Sequence, residues 1–231
     1  MPLSRRQLLR SMTAVVSVTA LPLPLRAQQA NQVRTIAGGG VTAPIVNPYG
    51  IVFGPDGALY FCEVDTGLTR RLDLADSALT TVAGNGQKAY AGDGGAALAA
   101  SFSAPHEIRF DKDGHLFVVE RDAHVVRRVD AVTGIVSTLA GTGEAGFSGD
   151  AGPANRAQLR QPHSIAFDAD GNLLICDIGN HRVRRVNMAD GTIGTLSGTG
   201  EREQTPDAAP LSGTHLRGPR SLDTDSDEIG R

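Results

Sequence analysis

The sequence predicts an all-β chain, a β-propeller of four-stranded blades, on three observations: a strict internal period, a hairpin signal inside every period, and almost no stretch able to form a helix. Pro48, Pro105, Pro162 and Pro219 stand 57 residues apart. The same register holds without a gap for Phe53, Phe110 and Phe167, for Gly57, Gly114 and Gly171, for the Arg-Arg pairs that begin at Arg70, Arg127 and Arg184, and for Gly84, Gly141 and Gly198. A fixed period of this length marks one supersecondary unit copied in tandem, each copy too small to bury its apolar face alone.

Each unit reads as four short strands. The first two are the runs around GPDG, DKDG and DADG, where Asp-Gly between β-rich segments gives a tight hairpin because glycine accepts the positive φ of the turn. A third strand follows at TRRLD, VRRVD and VRRVN, and a fourth at ALTTVAG, IVSTLAG and TIGTLSG. Such a unit is a propeller blade rather than a turn of a helical solenoid. The helix candidates are two short Ala-rich runs after the fourth strand, behind Asp93 and Asp150, which are placed to cap them. The repeats span 48–104, 105–161 and 162–218, with the start of a further one at 219–231. QVRTIAG at 32–38 matches a fourth strand, so the reading is about three complete blades, a terminal strand before them and the start of a fourth after them. Three blades do not close a ring, so a truncated propeller is expected, with self-association through its open blade faces as the alternative.

The segment DIGNHRVRRV, with PHSIAFDADGNLLI before it and TLSGTG after it, resembles the NHL repeat, and the GDGG connections are similar to those of its long-blade members. The resemblance covers about residues 32–225. It implies a propeller, commonly of six blades, whose first strands line a central channel.

SRRQLLR at Ser4–Arg10 is similar to the twin-arginine export motif, and an apolar run to Leu25 with LRA ending at Ala27 gives a cleavage site. Residues 1–27 are therefore expected to be a signal peptide. The run is too short and too rich in Ser, Thr and Pro to span a membrane, and the chain at 28–231 is expected in the periplasm or secreted. Losing Arg5, Arg6, Arg10 and Arg26 and no acid leaves 18 basic residues against 25 acidic ones. That balance argues against nucleic acid, which needs a basic face to neutralise phosphates. One arginine of each pair is expected beside Glu63, Glu120 or Asp177 on the neighbouring strand. Cys62 and Cys176 occupy one register position in two blades that are not neighbours, so both are expected as free buried thiols.

What recurs in every copy is scaffold, so a site belongs where copies differ. The column after the repeat proline holds Tyr49, His106, His163 and Arg220. Glu107 adds a carboxylate beside His106, and the loops between second and third strands carry Asp65, Asp122, His124, Asn180 and His181 toward the same face. His106 and His163, one blade apart, are candidate ligands for a divalent metal, zinc or calcium, with a third ligand from another blade. PHSI with DIGNHRV also resembles the peptidylglycine amidating lyases, which implies channel histidines on zinc. The alternative for the imidazoles is hydrogen bonding to loop carbonyls. His115 and His215 are expected to be solvated. No nucleophile elbow, P-loop, dinucleotide fingerprint or HExxH pattern occurs. The chain reads as a non-enzymatic binding module, without a required cofactor, presenting its loop face to a protein, peptide or glycan. A metal-dependent propeller enzyme, amidating-lyase-like or lactonase-like, is the alternative.

Overall fold

The aspartate of each hairpin shapes its own turn. Asp111 Oδ1 accepts the N–H groups of Asp113 (3.0 Å) and His115 (2.8 Å), and Asp168 Oδ1 accepts those of Asp170 (3.0 Å) and Asn172 (2.8 Å). The side chain thus stands in for a backbone carbonyl and bends the chain back. The computed structural model describes residues 45–224, so the expected signal peptide at 1–27, the terminal strand at 32–38 and the residues from 225 onward lie outside the described part. Chain contacts divide the protein at Arg34, and everything described belongs to the second unit, Thr35–Arg231.

Three sheets follow in chain order. The first is β1 (Pro48–Phe53), β2 (Leu59–Glu63), β3 (Leu68–Leu72) and β4 (Leu79–Ala83). The second is β5 (Pro105–Phe110), β6 (Leu116–Glu120), β7 (Val125–Val129) and β8 (Val136–Ala140). The third is β9 (Pro162–Phe167), β10 (Leu173–Asp177), β11 (Arg182–Val186) and β12 (Ile193–Ser197). Each is antiparallel with its strands in sequence order. The inner strands stand side by side, β1 against β5 and β5 against β9. Beside β9, Thr224 Oγ1 donates to the Phe167 carbonyl (2.9 Å) and Leu222 N–H reaches Ser164 Oγ (3.5 Å), in the place of a next inner strand.

The glycine closing each fourth strand is fixed by sterics. A Cβ at Gly84, Gly141 or Gly198 would sit 2.2, 2.3 or 2.2 Å from the carbonyl oxygen of Gly67, His124 or His181, and all three glycines have φ of 94–95°. Only glycine tolerates both conditions.

The core lies between blades. Cys62, Ala83 and Phe102 pack against Ile108, Leu116, Val118, Val129 and Val136, and the same columns recur between the second and third blades as Val119, Ala140 and Leu159 against Ile165, Leu173, Ile175, Val186 and Ile193. Both cysteines are buried free thiols. Position in the array decides burial. Ile108 and Ile165 are 0% exposed, whereas Ile51, in the same register of the first blade, is 63% exposed, with Phe53 beside it at 64%.

The connections after β4 and β8 correct one expectation. They form no α-helix; the second contains only a 3-10 turn at Ala154–Arg156, which has no side-chain cap. Instead each connection lies along the outer strand of the next blade: Gly94 N–H donates to Val136 O (2.8 Å) and Val136 N–H to Gly95 O (2.9 Å), and Ala151 and Gly152 make the same exchange with Ile193 (2.8 and 2.9 Å). Asp93 and Asp150 therefore cap nothing. Asp93 Oδ1 meets Arg127 Nη2 at 2.6 Å, and Asp150 Oδ1 meets Arg184 Nη2 at 2.7 Å, while their other oxygens take the hydroxyls of Thr138 (2.6 Å) and Thr195 (2.7 Å). The Ala-rich composition favours a helix, but backbone pairing with a waiting strand and a buried guanidinium outweigh it.

Those arginines were expected as cross-strand partners, and they are. Arg70 lies 3.6 Å from Glu63, Arg127 3.1 Å from Glu120 and Arg184 3.4 Å from Asp177. Arg127 and Arg184 are also completely buried, each tying its own second strand to the connection from the previous blade. His115 and His215 depart from expectation too, since both are half-buried. His115 Nδ1 accepts the Ala131 N–H (3.0 Å), and His215 Nδ1 is 2.6 Å from Thr199 Oγ1.

Candidate functional site

The repeat proline starts each inner strand, so the next residue is delivered to the same end of every blade. There the rings of Tyr49, His106 and His163 form a ladder. Tyr49 meets His106 edge to face, with centroids 4.6 Å apart and planes at 85°, and His106 stacks on His163 at 4.6 Å and 28°. Arg220, the fourth of the column, supplies its carbonyl oxygen to His163 Nδ1–H at 3.0 Å. Gly50, behind Tyr49, has no room for a side chain, because a Cβ there would lie 2.8 Å from Glu107 Cα. This close approach lets the first two inner strands bring their rings together.

His106 is the buried centre of the ladder, 6% exposed. Arg121 Nη1 donates to its Nε2 at 3.2 Å, while Arg121 Nε holds Asp122 Oδ1 at 2.9 Å. Burial first, then the charges of His163 and Arg121, push the His106 pKa down to about 4. The ring is therefore neutral at neutral pH. With Nε2 accepting from arginine, its proton sits on Nδ1, a buried atom without a hydrogen-bond partner among the described residues. His163 is lowered as well, by burial and by the nearby Arg220 and Arg121 charges.

Glu107 lies on β5 next to the ladder, ion-paired to Arg109, and burial pushes its carboxyl up. Asp122 reaches the ladder through Arg121. Asn180 does not join it: the side chain is buried and donates to Gly146 O (2.7 Å) and Asp177 Oδ2 (2.8 Å), so it braces the loop. His181 occupies a left-handed turn position in that loop, φ 54°, and His124 does so in the loop before, φ 59°, where its Nδ1 accepts Gln161 N–H at 3.1 Å. Arg121 is the residue that sequence reading missed. Its column reads Val64, Arg121, Ile178, a difference between copies of the kind that singled out the histidines.

The two imidazoles are stacked, a guanidinium occupies the Nε2 side of His106, and His163 Nδ1–H is given to the Arg220 carbonyl. That is a poor cradle for a dication. Among the described residues, one trio of metal-capable side chains has its ligand atoms within 4.8 Å of one another: Asp111, Asp113 and His115, at the opposite end of the inner strands.

Four-stranded antiparallel blades set side by side along their inner strands define a β-propeller architecture, here a partial one. The family model for the NHL repeat matches residues 159–186, which run from the connection into the third blade to the end of β11. The chain is 30% identical over 193 residues to Protein SUPPRESSOR OF QUENCHING 1, chloroplastic, of Arabidopsis thaliana, covering 79% of this chain and 18% of that protein. It is 26% identical over 215 residues to NHL repeat-containing protein 2 of Homo sapiens, covering 75% and 29%. A solved protein of unknown function from Bacteroides thetaiotaomicron shares the fold at a TM-score of 0.60 and 15% identity, covering 75% of this chain and 41% of the other. The chain thus spans less than a third of either curated relative.

Proposed function

We propose that this chain is an exported, non-enzymatic binding module, an NHL-type propeller that takes a peptide or glycan at the ring ladder of Tyr49, His106 and His163, with Arg220 and Asp122 at its rim. The observation that carries the reading is the state of His106. Its ring stacks on His163 and meets Tyr49 edge to face, its Nε2 is given to Arg121, and its Nδ1–H is a buried donor with no acceptor among the described residues. A ring ladder with an open donor and adjacent guanidinium groups suits a ligand carrying a carbonyl, carboxylate or hydroxyl acceptor next to a stacking surface. The twin-arginine-like leader and the acidic balance of residues 28–231 fit export and argue against nucleic acid.

The second reading, a metal-dependent enzyme with zinc or calcium on His106 and His163, is favoured by the closeness of the two imidazoles. It is opposed by their stacking and by Arg121. Metal analysis of protein purified without chelator, alongside the His106→Ala/His163→Ala double variant, separates the two. The binding reading expects no stoichiometric metal in either sample, together with peptide-array or glycan-array hits that disappear in Tyr49→Ala and His106→Ala. One equivalent of metal in the wild type, lost in the double variant, would overturn it.

A further inference from the structure

The end of the blades opposite the ring ladder holds a cavity of about 710 Å³ between the β5–β6 and β9–β10 hairpins. Its apolar lining comes from Phe110, Leu139, Phe167 and Met188, and its polar edge from both hairpin turns with Lys112 and Arg128. The volume is in the range of small-molecule sites, and an aromatic floor meets a rim of charged groups.

Comparison of the three copies shows what is unusual at this edge. Asp56, Asp113 and Asp170 share one register position, as do Arg71, Arg128 and Arg185. In the first blade Asp56 is held by Arg71 Nε (2.6 Å) and the Tyr60 hydroxyl (3.2 Å), and in the third Asp170 is 3.4 Å from Arg185. In the second blade Phe117 replaces the tyrosine, and Arg128 keeps the contact to Asp130 (3.1 Å) that Arg71 makes to Asp73 (3.1 Å) but has none to Asp113. Among the described residues Asp113 then has no ion pair, and neither has Asp111. The remaining carboxylates at the edge, Asp168 and Asp170, are both served by Arg185. Among the described residues the groups without an ion pair are Asp111, Asp113 and Lys112, and Arg185 meets two carboxylates with one charge, so the edge is net negative over an aromatic floor.

A bare metal ion is a poor match. His115 Nδ1 accepts the Ala131 N–H, which puts the proton of the neutral ring on Nε2 and leaves no lone pair for a third ligand beside Asp111 and Asp113. We infer that the cavity is a binding site for a small organic monocation, an ammonium group on an aromatic or alkyl body, with the cation at Asp113 and Asp111 and the body on Phe110 and Phe167.

The test is titration of ¹⁵N-labelled protein with phenethylammonium or benzyltrimethylammonium, with 3-phenylpropionate as the anionic match in size. Saturable shifts of the Gly114 and Gly171 amides are expected for the cations only. Asp113→Asn should weaken binding about three- to fivefold, the effect of losing one exposed charged partner, while Asp170→Asn, whose carboxylate is already paired, should stay within about twofold. The inference is overturned by the absence of shifts, by equal binding of the anion, by an Asp113→Asn variant that binds like wild type, or by release of the amine on adding stoichiometric zinc or calcium. The peptide and glycan tests at the ring ladder are independent of every one of these outcomes.

Discussion

Replacing Arg127 by Met should destabilise the chain by about 3–5 kcal/mol, the usual cost of removing one partner of a buried ion pair. The geometry explains the size. Arg127 is fully buried, with Nη1 at 3.1 Å from the equally buried Glu120 and Nη2 at 2.6 Å from Asp93 of the preceding connection. Without it, Glu120 keeps only the Ser103 N–H at 2.7 Å and must ionise inside the core or take up a proton. Burial already pushes the Glu120 carboxyl up, against the pull of Ser103 N–H and Arg127. Loss of the arginine moves it further. A carboxyl whose folded pKa is raised contributes stability below its unfolded pKa and loses it as pH rises through the folded value, so the penalty should be larger near about pH 8.5 than near about pH 5. Arg184→Met should behave alike, since Arg184 joins Asp177 and Asp150 in the same way. Arg70→Met should cost about 1–2 kcal/mol, because Arg70 is partly exposed and its single recorded ion pair, with Glu63, is long at 3.6 Å. Urea unfolding of the three variants at both pH values measures all of this. Equal costs for Arg70 and Arg127, or a cost at Arg127 that ignores pH, would refute the idea that the connection's aspartate and the buried arginine lock adjacent blades.

Two further outcomes follow from the same structure. Because the folded pKa of His106 is held near about 4, below the ordinary 6.5, the unfolded chain takes up this proton first as pH falls. Stability is therefore full above pH 6.5 and declines toward pH 4, by about 2 kcal/mol once the partly solvated mouth is allowed for. His106→Gln should flatten that part of the stability profile, and an unchanged slope would show that the shift is not seated there. Ile108→Ala should cost about 3 kcal/mol and Ile51→Ala less than about 1 kcal/mol, as read from denaturant midpoints, since only the first of these identical side chains is covered by a preceding blade.

Much of the fold was legible because a repeat multiplies its own evidence. One Asp-Gly pair is a hint; three at one spacing, each followed by Arg-Arg and a closing glycine, define strand order and hairpin register together. The connections were not legible, because the Ala-rich runs were read by local propensity. What places them is the neighbouring blade's outer strand and a guanidinium 34 residues further along the sequence, between Asp93 and Arg127 or Asp150 and Arg184. At the ring end, comparing copies picked out Tyr49, His106 and His163, whose rings touch, and Arg220, whose carbonyl meets His163. It also drew in Asn180, whose amide is spent on Gly146 and Asp177. A loop residue's column says which end of the blade it occupies, but not whether its hydrogen bonds are already taken.

The cavity between the second and third blades was invisible for a related reason. Nothing in the second blade's own sequence announces it, since Asp113 and Arg128 both keep the residue types of their columns. What changes is a contact: Arg71 reaches Asp56 and Arg185 reaches Asp170, but Arg128 holds only Asp130, as Arg71 holds Asp73, and Asp113 is left open among the described residues. The ring ladder differs, since it turns on an Arg121 in a column otherwise held by Val64 and Ile178, which reaches His106 instead of packing as an apolar side chain. There the informative event is a change in one column that alters the partners of a residue in another. In a tandem repeat, differences between copies therefore locate candidate sites most reliably when they are followed along the hydrogen bonds they rearrange.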